Sequence, residues 1–381
     1  MVFNQRTYPN FCRLLEWLGV ESQASDMSFS VASAATGLVY QGSSLGGLFA
    51  QRPNLLRPRF WGMLRDIVRF NRWARKLLSR PQESLTVGEL LTRGRFGRMF
   101  RQEYLLPMTS AIWSTRPQQM LEFPAWFLLT FLHNHGLLQI RDRPQWRTIV
   151  GGSRVYVDKL VAGLGSGVRC GVPVERVERR GGEVLVKPRG EGLETFDAVV
   201  LATHADTSLQ LLGDASPAET EILSSFAYHD NDAVLHTDEA LLPHLPAARA
   251  SWNYHLEKAA TSGEDLSATV TYDLTRLQRI DAPGRLLLTL NRTAAIRPTA
   301  ILDQMRFRHP AFSLRSLAAQ ERWAEINGTR QTYFCGAYWK YGFHEDGVAS
   351  ALAVTREFGI DLDSCIAAST ADTSRTTASA P

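Results

Sequence analysis

The stretch Gln331–Gly359, QTYFCGAYWKYGFHEDGVASALAVTREFG, leaves the chain fewest choices. Thr332, Tyr333, Phe334 and Cys335 form a short apolar, β-prone run that Gly336 ends. The loop Ala337–Asp346 carries the aromatics Tyr338, Trp339, Tyr341 and Phe343 together with Lys340, His344 and Glu345. A helix is predicted to start near Asp346-Gly347, with Val348, Ala351, Leu352 and Thr355 on one face and Gly359 as its C′ residue. A helix start carries about +0.5 charge and several unpaired N–H groups, so such a junction suits an anion. Gly347 removes the Cβ that would block a ligand, and Ala349 and Ala353 allow close packing on a sheet or a flat cofactor. The same pattern also describes a plain strand–helix packing unit with an aromatic loop, and pattern alone leaves both readings open.

Composition narrows the class. With 381 residues the chain has room for two domains and a sizeable core, and 44% hydrophobic against 21% charged residues fits a globular enzyme. A net charge of +4 is too small to argue for nucleic acid, and none is expected as a partner. Cys12, Cys170, Cys335 and Cys365 are scattered without paired spacing, which argues against a zinc site or disulfide scaffold and for a reducing, cytoplasmic setting. The N-terminal residues show no basic-then-apolar leader pattern. The apolar run Phe123–Leu138 is broken by His133, Asn134 and His135 and is too short and polar to span a membrane. On a helix the two histidines point apart, so no metal site is read there.

Along the chain, Tyr8–Leu18 reads as a helix with Phe11, Leu14, Leu15 and Leu18 on one face. Ser28–Val31 and Gly37–Tyr40 read as two short strands. Leu55–Leu78 reads as a long helix whose buried stripe is Trp61, Leu64, Val68 and Leu78, beside a row of arginines. That row is either an ordinary solvated face with snorkelling side chains, or a basic amphipathic face for peripheral contact with a membrane or an acyl-bearing substrate. Another helical region begins at Glu83–Leu91, and Pro107 is expected to end or kink the helix that reaches it. Thr148-Ile149-Val150 leads into Gly151-Gly152, after which Ser153 can cap a helix bearing Val157, Leu160, Val161 and Leu164 on one face. Gly163–Gly167 stops that helix. Strands are expected at Val172–Val177, Glu183–Lys187 and the buried Phe196–Thr203, with a helix at Ser208–Leu212. Further β-prone runs occupy Ala233–His236, Ser267–Tyr272 and Leu286–Leu290. The Ala, Ser and Thr-rich tail 367–381 is expected to be disordered.

The run FCGAYWKYGFHEDGVASALAV resembles the C-terminal flavin-binding motif of FAD-dependent amine-oxidase-like oxidoreductases, most of all a bacterial branch described as predicted NAD/FAD-binding proteins. The Gly151-Gly152 segment, the VVLAT strand and Ala250-Ser251-Trp252-Asn253-Tyr254 are similar to that family too. The resemblance implies FAD as cofactor. It places Gly336 and Ala337 near the ribityl chain, Asp346, Gly347 and Val348 at the pyrimidine edge, Gly151 and Gly152 near the flavin, Val174 at the adenine end, and Thr203 beside the pyrophosphate. His344 and Lys340 are candidate catalytic groups only because their loop would lie beside the ring.

The family's opening strand–G-x-G-x-x-G–helix unit is not found in this sequence, so the expectation is an N-terminally truncated chain that binds FAD weakly. The expected fold is α/β plus α+β: an incomplete Rossmann-like FAD/NAD(P)-binding domain (1–12, 146–213 and 331–366) with an inserted substrate or cap domain (13–145 and 214–330). The expected activity is a flavin-dependent two-electron oxidation of a small or lipid-like substrate. The alternative is a non-catalytic fragment or interaction protein that no longer holds FAD well.

Overall fold

The computed structural model describes residues 2–79, 84–257 and 268–366. The tail 367–381 and Ser267 lie outside them. In chain order the elements used below are helix α1 (Pro9–Trp17), strands β1 (Phe29–Ser33) and β2 (Val39–Gln41), and helices α2 (Pro58–Leu77), α3 (Val87–Arg93), α4 (Leu106–Trp113), α5 (Ala125–Asn134) and α6 (Arg154–Leu164). Next come β3 (Val174–Arg180), β4 (Glu183–Pro188), β5 (Glu194–Phe196), β6 (Val199–Leu201), α7 (Ala205–Leu211) and α8 (Pro217–Leu223). Then follow β7 (Ala227–His236), β8 (Trp252–Leu256), β9 (Val270–Asp273), β10 (Leu287–Leu290), β11 (Ile301–Ala311), β12 (Thr332–Phe334) and α9 (His344–Glu357). The fold is mixed α/β. It divides into two compact units, one of residues 1–4, 23–148 and 228–314, the other of residues 5–22, 149–227 and 315 onward.

The first unit is built on a seven-stranded sheet in the order β11-β7-β10-β9-β8-β1-β2. Its two faces differ because side chains alternate along each strand. One row runs Tyr40, Val31, Tyr254, Val270, Leu290, Ala233 in register across six strands, and every member is buried. The adjacent row, Ser30, Asn253, Thr271 and Thr289, is polar and equally buried. It is satisfied internally: Ser30 Oγ donates to Asn253 Oδ1 at 2.9 Å, Thr271 and Thr289 hydroxyls lie 2.8 Å apart, and His236 Nε2 reaches Thr289 Oγ1 at 2.7 Å. Helices cover the unit elsewhere. Trp113 of α4 meets Phe123, Phe127 and Phe131 at ring distances of 4.9, 6.3 and 4.7 Å.

Several helical expectations are corrected here. Helix α2 buries Phe60, Met63, Phe70 and Ala74, whereas Trp61 is 49% exposed and Leu64, Val68 and Leu78 are only half-buried. The stripe lies one residue round the helix from the one read in the sequence, because both sides of α2 carry apolar residues. Pro107 does not end its helix. A wide π turn at Arg101–Leu105 precedes it, the irregularity that goes with a proline inside a helix, and the helix continues through α4. His135 stacks on Phe131 with centroids 3.9 Å apart and its Nδ1 lies 2.9 Å from the Phe131 carbonyl, and no metal-binding cluster occurs among the described residues. No described helix is long and apolar enough to cross a membrane.

In the second unit β3, β4 and β5 form an antiparallel sheet, its first hairpin turning at Gly181 and Gly182 with φ of +61° and +88°. The expected continuous strand Phe196–Thr203 is divided: Phe196 ends β5, and Val199–Leu201 becomes β6, paired in parallel with β12. It is not fully buried, since Val200 is 46% exposed. The apolar side of α6 is likewise open, with Val157, Val161 and Leu164 at 43, 40 and 66% exposure.

One buried ion pair ties this unit together. Arg179 on β3 donates to both carboxylate oxygens of Glu219 on α8, each at 2.9 Å, and to Thr332 Oγ1 of β12 at 3.1 Å. Glu219 also closes a capping box with Ser216 at the start of α8. Removing one partner of a buried pair strands the other charge, at a cost of about 3–5 kcal/mol, and because Arg179 Nε also lies 2.8 Å from the Asp214 carboxylate the lower end of that range applies to loss of Glu219. Glu219→Ala is therefore expected to lower unfolding stability by that amount in urea titrations, with Glu219→Gln intermediate because it keeps acceptor and shape. Equal midpoints for Glu219→Ala and the parent would contradict it.

Candidate cofactor-binding site

The parallel pair β6 and β12 sets the site. Val199, Val200 and Leu201 lie opposite Thr332, Tyr333 and Phe334, and the Cys335 N–H donates to the Leu201 carbonyl at 3.1 Å. The strands therefore stop at the same level, and Thr203 and Gly336, each two residues beyond its strand, share one carboxyl edge. Ligands of open α/β sheets bind at such edges. Thr203 is exposed there, with its hydroxyl 2.8 Å from Ser208 Oγ in the first turn of α7.

Gly336 is required by contact. A Cβ at this position would lie 2.5 Å from the buried Tyr338 ring. Its N–H donates to Ser350 Oγ at 2.9 Å, and the Ser350 hydroxyl donates in turn to the Gly347 carbonyl at 2.8 Å. One serine thus fastens the end of β12 to the first turns of α9. The intervening loop is held by Gln320, whose Nε2 donates to the Tyr338 and Lys340 carbonyls at 2.8 and 2.7 Å. Tyr338 and Trp339 pack edge-on against Phe226 at 4.9 and 5.2 Å. The buried Trp339 Nε1 finds no acceptor among the described residues.

Helix α9 starts at His344, two residues before the expected Asp346-Gly347. Asp346 reaches back to accept the Phe343 N–H at 2.9 Å, which closes the turn earlier than the residue types announce. The Gly347 amide is consequently spent inside the helix on the Phe343 carbonyl at 3.0 Å. What Gly347 contributes is room, because nothing lies within 4 Å of where its Cβ would be. Val348 and Ala337 are half-buried beside it in sequence and along the loop. Asp346 is 7% exposed, and burial lifts its carboxyl to about 6 against the pull of the Phe343 and Tyr341 amides and Lys340.

Glu345 faces the other way and caps α1. Its carboxylate accepts the N–H groups of Asn10 and Phe11 at 3.2 and 2.9 Å and the Asn10 side-chain amide at 2.7 Å. The Phe11 ring then sits edge-on to His344 and to Tyr156 of α6, both at 5.6 Å. Lys159 of α6 donates to the Leu18 and Gly19 carbonyls past the end of α1 at 2.6 and 2.8 Å. Gly151 and Gly152, with φ of +78° and +85°, turn the chain into α6, so they enter the same α1–α6–α9 assembly. Ser153 occupies the cap position of α6 but makes no side-chain capping bond, contrary to expectation.

Not every expected residue converges. Val174 stands 38% exposed at the start of β3, opposite Pro188 of β4. Lys340 and His344 are exposed, and the contact shown for the His344 ring is with Phe11, so the geometry assigns neither a proton to move. Ser350, Gln320 and Glu345 were missed as site residues. Ser350 alone left a signal, falling one helical turn after Gly347 on the side that meets β12.

Comparison with known proteins sets these features in a lineage. Residues 1–357 match the family model described as flavin containing amine oxidoreductase. Among solved structures, the CLA-producing fatty acid isomerase from P. acnes matches with a TM-score of 0.63 at 14% identity, over 93% of this chain and 85% of the other. Cyclohexylamine oxidase from Brevibacterium oxydans matches with 0.61 at 15%, over 94% and 88%. Putrescine oxidase bound to putrescine matches with 0.61 at 12%, over 93% and 86%. At these identities the likeness is one of fold. No curated protein sequence matches the chain.

The Asp346 carboxyl yields a pH prediction. Its folded value of about 6 exceeds its ordinary 3.8, so the folded state holds the proton more tightly. Stability should then fall as pH rises from about 4 to about 6, by about 3 kcal/mol at 1.36 kcal/mol per unit. Asp346→Asn keeps an acceptor for the Phe343 N–H and removes the titration. The stability difference between acidic and neutral urea titrations should shrink by about that amount in the variant. An unchanged difference would place the pH dependence elsewhere.

Proposed function

The chain belongs to the flavin-containing amine oxidoreductase family, and from that premise we propose that it is an FAD-dependent oxidoreductase taking a hydride from a small or lipid-like substrate. The observation that carries this reading is the shared carboxyl edge of β6 and β12, with Gly336 in close contact on one side and open space at Gly347 on the other. FAD, when bound, supplies the two-electron acceptor. The chain's own residues supply the shape. Gly336, Ala337 and Gly347 keep the edge free of side chains, and Ser350 holds strand and helix at fixed spacing. Thr203 offers a hydroxyl at the same edge, and Gly151 and Gly152 lead to the N-terminus of α6, whose first amides favour an anion. Asp346 and Val348 are the remaining proposed contacts at that edge, and Val174, exposed at the start of β3, is proposed for the adenine end. With its carboxyl raised to about 6, Asp346 at the start of α9 remains partly protonated in mild acid and opposes negative charge less than an ordinary aspartate.

No G-x-G-x-x-G turn is present in the sequence, and Gly163–Gly167 follows a helix, as the stop of α6. A second reading is a protein that keeps the scaffold for interaction and does no flavin chemistry. As for substrate, the fold relatives include an isomerase of fatty acid and oxidases named for cyclohexylamine and putrescine, so both classes belong in the assay.

FAD titration with the flavin fluorescence as readout separates the readings. Saturable quenching is expected. Gly347→Phe, whose Cβ would meet nothing within 4 Å, should weaken binding by at least about tenfold, or 1.4 kcal/mol, without lowering the melting temperature. Anaerobic bleaching of the bound flavin by an amine or an unsaturated acyl substrate would then name the substrate class. No quenching at any FAD concentration would leave the interaction reading standing.

A further inference from the structure

Helix α2 presents a face that neither the sheet nor the flavin reading uses. Arg59, Arg65, Arg69, Arg72, Arg75 and Lys76 stand exposed along it, and its one acid, Asp66, is buried. Asp66 accepts the Gly97 N–H at 2.8 Å and lies 3.1 Å from Arg69, which also covers the Phe96 ring at 4.4 Å. Arg75 folds back on its own helix, donating to the Asn71 carbonyl at 3.2 Å. Arg59, Arg65, Arg72 and Lys76 have no carboxylate partner among the described residues. Arg65, Val68, Arg69, Arg72, Trp73 and Lys76 line an open groove of about 610 Å³ along the helix.

The row of cations runs into an apolar knob. Leu45, Leu55, Leu56 and Trp61 are 77, 49, 88 and 49% exposed. They are neighbours: Trp61 Nε1 donates to the Leu55 carbonyl at 2.9 Å, the Phe49 ring lies 5.6 Å from Trp61, and the Phe49 N–H donates to the Leu45 carbonyl at 3.0 Å. A single exposed leucine needs no explanation, whereas a contiguous group beside unpaired cations does.

We propose that this face docks the protein on a membrane surface bearing anionic phospholipid headgroups. Leu45, Leu55, Leu56 and Trp61 enter the interface, and Arg65, Arg72 and Lys76 lie over the phosphates. Charge complementarity selects this occupant. A second copy meeting the same face by two-fold symmetry would set one row of cations against another. A nucleic acid would take the cations and leave Leu55 and Leu56 in water. The assignment is independent of whether FAD binds.

The test is cosedimentation of the full chain with vesicles of phosphatidylcholine, with and without phosphatidylglycerol. Binding is expected only with the anionic lipid, with release on raising the salt. Combined Arg65→Gln, Arg72→Gln and Lys76→Gln should lower partitioning about 100-fold, at about fivefold per charge. Leu55→Ser with Leu56→Ser should also lower it, and unchanged melting temperatures would show that both variants fold. Equal recovery in the supernatant with and without phosphatidylglycerol at low salt overturns the proposal. So does vesicle binding indifferent to the three charge changes, retention on duplex DNA without vesicle binding, or Leu55-dependent dimerisation without it.

Discussion

Arg179 joins three elements of the second unit. Its guanidinium is 2% exposed, faces a Glu219 carboxylate that is 1% exposed, and has its Nε 2.8 Å from the Asp214 carboxylate, so the charges have left water together. The geometry is the two-pronged one that makes such a pair tolerable. Three elements meet there: β3 supplies the arginine, α8 the glutamate, and β12 the Thr332 hydroxyl. Around them Arg330 donates to the Asp214 and Arg179 carbonyls at 2.8 and 3.1 Å, and the Arg179 amide reaches the Asp214 carboxylate at 3.0 Å. Strand β12 is three residues long and could not hold its place by sheet pairing alone. The buried pair anchors its first residue, and Gly336 follows from its last.

From that anchor the candidate site is assembled by small couplings. Ser350 ties the end of β12 to α9, and Glu345 ties α9 to α1. Lys159 ties α6 to the end of α1. Each is a hydrogen bond between a side chain and a backbone group that a helix end or a strand end would otherwise leave unmade. Consecutive residues of α9 serve opposite purposes. Glu345 looks outward to cap a neighbouring helix, while Asp346 turns inward to cap its own, and the inward one bears the cost of desolvation.

This division explains what could be read in the chain and what could not. Alternation in Ser28–Val31 and the β-prone apolar run Ala233–His236 mark strands, and β1 and β7 lie there. The Gly336-Ala337 break after Phe334 is legible because glycine alone fits beside Tyr338. The start of α9 is not, since Phe343 is no usual cap and the work is done by Asp346 three residues later. Nor could Arg179 be told from its neighbours Arg176 and Arg180 on β3, because its partners lie 40 and 153 residues away. Burial on helices misled for a related reason. Val157, Val161 and Leu164 have the spacing of a core face, and spacing records what a surface could cover, not what covers it.

The same distinction gives the apolar residues of α2 their meaning. Phe60, Met63, Phe70 and Ala74 suffice to seat this helix, and its sole acid is folded beneath it. Trp61, set a hundred degrees round from Phe60, is not needed for the core and nevertheless lies beside Leu55, with its indole N–H already satisfied by that residue's carbonyl. A tryptophan whose polar atom is satisfied by the chain itself presents a nearly pure apolar surface. This apolar knob and the row of cations that follows it along α2 belong to the first unit, and the β6–β12 edge belongs to the second. One surface is bare of side chains at Gly336 and Gly347, and the other carries Leu55, Leu56 and Trp61 beside its cations.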